Sequence, residues 1–114
     1  MAAFDSVVLL REYGDADLVR DLAQLLVDTV PQQVDAVTSA VSAGDGAALR
    51  QAAHKLRGSI VAFGMAEAVE RARQLEAMAA AGDLSGAEAI SHQLVADVQS
   101  LRDSANAWLT ARSS

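Results

Sequence analysis

The sequence predicts an all-α fold, an antiparallel up-down four-helix bundle with a short additional N-terminal helix. Three observations carry that prediction. Apolar residues recur three and four positions apart along most of the chain, the spacing of a helix face. Breakers are few, one proline and seven glycines in 114 residues, so the elements are few and long. Apolar residues make up 52% of the chain and aromatic ones only 4%. Small side chains with scattered leucine and valine suit closely packed helices rather than a sheet. The length predicts a single domain over 1–114, its bundle occupying about 15–111.

Taken in order, residues 4–12 form a short apolar helix (Phe4, Val7, Val8, Leu10) that ends at Gly14. Residues 15–43 are periodic almost throughout, with Leu18, Leu22, Leu25 and Leu26 followed by Val30, Val34, Val37 and Val41. Asp15 or Asp17 caps the start. Pro31 removes an amide donor and crowds the carbonyl four residues earlier, which predicts a kink, with a split into two helices as the alternative. Gly44-Asp45-Gly46 stops the chain and restarts it, and Asp45 is placed to cap a helix over 46–63. Gly64 ends that helix. The next runs 65–81 and breaks at Gly82-Asp83. The last, about 86–111, puts Ile90, Leu94, Leu101, Ala105 and Trp108 on one face, with Trp108 as core at the bundle's end. Short connections between long helices make neighbours antiparallel.

Two helices carry residues that packing alone does not explain. On a wheel of about 100° per residue, Leu49, Ala53, Leu56, Ile60 and Phe63 form the core stripe of helix 46–63. His54 lies off that stripe, on a flank with Arg50, Arg57, Gly58 and Val61. A glycine inside a helix costs roughly 1 kcal/mol against alanine. Gly58, one turn after His54, leaves that side of the ring open for a partner to approach. On helix 65–81, Met65, Val69, Ala72 and Ala79 define an apolar stripe, and Glu76 falls within it. A carboxylate facing a bundle interior is costly unless it is paired. In an antiparallel hairpin residue 76 comes level with residue 54, so a ring nitrogen of His54 is its natural partner. The other readings are that Glu76 reaches water at the stripe's edge or pairs with Arg73.

The order Ala53-His54-Lys55-Leu56-Arg57-Gly58-Ser59, then Phe63-Gly64, then Gln74-Leu75-Glu76 resembles a histidine-containing phosphotransfer (HPt) domain of two-component phosphorelays. The family's usual pattern is His-x-Leu-Lys-Gly-Ser, and Arg57 here replaces the lysine. The resemblance extends over about 15–110, through Leu18 to Leu26, Pro31 and the turns at Ala43-Gly44-Asp45 and Ala81-Gly82-Asp83. It implies that His54 carries a phosphoryl group between receiver domains. It also implies that Glu76 bonds Nδ1 and leaves Nε2 free to attack. An imidazole with its ordinary pKa of about 6.5 has a neutral lone pair available near pH 7.

Arg57, one turn beyond His54, is read as stabilising charge on the phosphoryl oxygens. Arg50, Val61, Ala62 and Met65 are read as docking residues for a receiver. Lys55 is read as solvated surface, and His92 is assigned no role.

Composition excludes several classes. A net charge of −6 argues against nucleic acid. Zero cysteines exclude disulfides and thiolate metal sites, in keeping with a reducing compartment. No run approaches the roughly 18 apolar residues of a membrane span, and no secretory signal is visible. A cytoplasmic, monomeric protein is expected, and Met1 permits a free-standing one. No glycine-rich nucleotide loop occurs, so an autonomous kinase is not expected. No Glu-x-x-His pair occurs, which excludes a di-iron bundle. The resemblance implies no cofactor for this chain, with magnesium supplied by the partner receiver, and a hybrid sensor histidine kinase as a further partner. The alternative function is a helical adaptor that binds receiver or kinase domains without being phosphorylated.

Overall fold

Local signals set the starts of the first three helices and the glycine stops at Gly14, Gly44 and Gly82. The computed structural model describes residues 4–113; Met1, on which the free-standing reading rests, and Ser114 lie outside them. Five α-helices are present among the described residues: α1 (Ser6–Tyr13), α2 (Ala16–Ala43), α3 (Gly46–Ile60), α4 (Ala66–Ala81) and α5 (Ala87–Ser113). Aspartates cap the first three. Asp5 accepts from the amides of Val7 and Val8 at 3.1 Å each. Of the two candidates before α2 it is Asp15 that accepts, from Asp17 at 2.9 Å and Leu18 at 3.3 Å. Asp45 accepts from Ala48 at 3.0 Å, as expected. Each such cap contributes about 1 kcal/mol.

The α3 helix stops at Ile60, three residues earlier than periodicity suggests, and the chain tightens into a 3₁₀ turn over Val61–Phe63. Gly64, at φ 70°, then reverses the chain into α4, in a backbone region that side-chain-bearing residues rarely adopt. Despite Pro31, α2 remains one helix. Val30 and Val34 flank the proline and are both buried, so the core grips the helix on either side of the lost hydrogen bond.

The bundle is a closed ring in which α3 packs on α2 and α4, and α5 closes against α2 and α4. It measures 46 × 23 × 21 Å. The α3 stripe is as expected, with Leu49, Ala53, Leu56 and Ile60 fully buried and Phe63 half-buried against them. Burying a leucine or isoleucine this completely contributes about 1.5–3 kcal/mol.

The α2 stripe is as expected from Leu26 through Val30, Val34 and Val37, and departs from expectation only before Leu26. Val19, Ala23, Leu26, Val30, Val34 and Val37 face the core, while Leu18 and Leu25 are 40% and 52% exposed. Both leucines precede a core residue by one position, which turns them about 100° away from it. The helix α1 differs in the same way. Val7, Val8 and Leu10 are exposed, and Leu9 is buried in their place. Phe4 precedes the helix and packs on Trp108 (centroids 5.1 Å apart) and on Phe63 (6.1 Å). Trp108 is half-buried at that end of the bundle.

Candidate functional site

The site is made where the second half of α3 meets the second half of α4. Antiparallel packing brings Glu76 level with His54, and Glu76 Oε1 stands 2.9 Å from His54 Nδ1. The two side chains differ in exposure: His54 is 68% accessible and Glu76 only 16%. The carboxylate is therefore at the edge of the core and the ring stands on the surface above it. Arg73, the other partner considered for Glu76, is bonded to Glu70 through Nε at 2.8 Å and through Nη2.

A third member joins the pair that periodicity did not reveal. Arg57 Nε donates to Glu76 Oε2 at 2.5 Å, and its Nη2 donates to Oε1 at 3.3 Å. The arginine expected to face an incoming phosphoryl group thus lies fork-on across the glutamate. Lysine, a point charge, cannot span both oxygens in this way. Burial pushes the Glu76 carboxyl upward, but the donors from Arg57 and His54 outweigh it and hold the carboxyl below its ordinary range.

That ionisation decides the state of the ring. An ionised carboxylate only accepts, so Nδ1 carries the proton that reaches Oε1. Arg57 Nη2 lies 3.2 Å from the same Nδ1. Two donors cannot bond each other, and this contact follows from both aiming at the shared oxygen. In the neutral ring Nε2 therefore holds the lone pair, on the exposed side of the molecule.

An open cleft of about 620 Å³ adjoins the ring, lined by Ala47, Arg50, Gln51, His54, Arg57 and Glu76. Ala47 and Gln51 were not singled out from sequence. Both fall on the His54 flank of the α3 wheel, a signal that was there to be read.

Gly58 is outside the cleft lining. A Cβ added there meets nothing within 4 Å, so nothing inside the molecule requires a glycine. The docking candidates divide. Val61 is 59% exposed. Ala62 and Met65 are half-buried: Met65 packs on the core, and the Ala62 carbonyl accepts from Tyr13 Oη at 3.2 Å. Lys55 is exposed. His92 is 71% exposed, with Glu88 at 3.9 Å.

No cluster of three metal-ligating side chains occurs among the described residues. No helix among them is long and apolar enough to cross a membrane. The family model described as the Hpt domain matches residues 21–104, well over half of the chain and inclusive of His54, Arg57, Gly58 and Glu76. Neither the curated proteins nor the solved structures contain a significant match.

Proposed function

This chain belongs to the Hpt domain family, and from that premise we propose that His54 Nε2 is the atom that accepts and returns the phosphoryl group. Hpt domains are phosphotransfer carriers of two-component phosphorelays, they interact with receiver domains of response regulators, and they are not autonomous kinases. The observation that carries the assignment to His54 is the pairing of a 68% exposed ring with a 16% exposed carboxylate at 2.9 Å. That bond sets the tautomer and aims the ring.

In the forward step Nε2 attacks the phosphorus of a receiver's aspartyl phosphate. The N–P bond forms as the P–O bond breaks, and the aspartate departs as its carboxylate. The Nδ1 proton stays on the ring, whose new positive charge faces Glu76. The return step to a second receiver reverses each change. The chain brings no cofactor to this exchange; magnesium belongs to the receiver's acidic pocket. A hybrid sensor histidine kinase is the upstream source, and the protein acts as a cytoplasmic monomer. Gly58 and Val61 lie on the surface the receiver meets, with Ala62 and Met65 behind it.

The test is transfer from a labelled phosphorylated receiver to this chain, beside a His54→Gln control. Acid-labile, alkali-stable label on the wild type alone supports the proposal. Receiver binding without label in either protein replaces it with the adaptor function.

A further inference from the structure

A phosphoryl group on Nε2 places a dianion at the surface of α3, and the charges around it do not balance without a further cation. The ring becomes positive, and Arg57 and Glu76 cancel one another through their forked pair. One negative charge is left over. The helix α3 carries Arg50, Lys55 and Arg57 and no acidic residue, in a chain whose net charge is −6. Arg57 is already engaged, and Lys55 does not line the cleft beside His54. Arg50 does line it, one helical turn before His54, and forms no ion pair among the described residues.

We propose that Arg50, rather than Arg57, grips the phosphoryl oxygens of phospho-His54, while Arg57 acts as a positioning residue through Glu76. The guanidinium fork suits two oxygens of one phosphoryl group, and the cleft leaves it room to turn toward Nε2. Gln51 lines the same cleft and supplies an amide donor beside it. This inference rests on His54 being the phosphorylated residue.

The experiment needs no receiver. Wild type, Arg50→Gln, Arg50→Lys and His54→Gln are treated with phosphoramidate, and the ³¹P resonance of the phosphohistidine is followed against pH. A cation held against the phosphoryl group lowers its second ionisation. The resonance of Arg50→Gln should therefore titrate about 1 pH unit higher than that of wild type, with Arg50→Lys in between. A purely structural role for Arg50 leaves that midpoint unmoved. A phosphohistidine resonance that titrates alike in wild type and Arg50→Gln overturns the inference and leaves His54 as carrier. A wild type with no resonance beyond that of His54→Gln overturns both.

Discussion

Among the described residues two arginine–carboxylate clamps cross antiparallel helices, and only one of them also holds a histidine. On the α3–α4 face, Arg57 forks onto Glu76, with side-chain exposures of 35% and 16%. On the α4–α5 face, Arg71 reaches Asp97 at 2.6 Å and Gln93 at 3.0 Å, with exposures of 26% and 32% for the ion pair. Charge type, depth and the use of two helices are nearly the same. The difference is what else each carboxylate holds. Asp97 holds an arginine that Gln93 also occupies, with Glu67 at 3.9 Å completing the surround. Glu76 holds an arginine and an exposed imidazole that opens onto a cleft. The first arrangement is closed and fixes helix register; the second leaves a nitrogen lone pair facing outward. A half-buried ion pair alone does not mark a functional site.

Substitutions should separate the two clamps. The largest effect is expected from His54→Gln, which should abolish acid-labile label while leaving the thermal midpoint nearly unchanged, since the ring stands outside the core. Measurable labelling of that variant would move the carrier elsewhere. Gly58→Gln should follow. It should raise stability by up to about 1 kcal/mol in thermal unfolding yet strongly weaken receiver binding, opposite signs that no packing defect produces. Normal binding would remove the access argument for the glycine.

Glu76→Ala should slow transfer about 10–100-fold, the usual cost of losing a partner that orients a histidine. Rapid-quench transfer rates would show it, and a rate equal to wild type would reduce Glu76 to a strut like Asp97. Arg71→Met should do the converse. It should cost on the order of 1 kcal/mol in urea unfolding and leave transfer as it was.

The smallest effect is that of pH. In the folded chain the Glu76 carboxyl titrates below the ordinary glutamate range, because the donors from Arg57 and His54 outweigh its burial. The unfolded chain therefore binds its proton first as pH falls, and the stabilisation, complete above about pH 4.5, fades as pH drops through the folded pKa. The urea midpoints of wild type and Glu76→Gln should differ more at pH 7 than at pH 3. A gap that stays constant would mean the carboxylate gains nothing from its donors.

How legible the protein was depends on the range of the signal. The cap at Asp45, the stops at Gly44 and Gly82, and the α3 stripe through Leu49, Ala53, Leu56 and Ile60 are written in residues at most four apart, and sequence alone determined them. It also brought His54 and Glu76 together, because a hairpin of two helices with a short turn has few possible registers.

What only the tertiary structure decided depends on which neighbour a side chain finds. In the first half of α2 the small Val19 and Ala23 take the buried positions, while the larger Leu18 and Leu25, each one position before a core residue, turn outward. The partner of Arg57 was set across two helices by a carboxylate that periodicity could place but not pair. With it came the proton on Nδ1, the lone pair on Nε2 and the unpaired Arg50 in the cleft. Hydrogen bonds of this kind form between groups distant in sequence, and a long, flexible arginine has several targets within reach. The fold chooses among them by which carboxylate the packing of the helices brings within reach of each guanidinium.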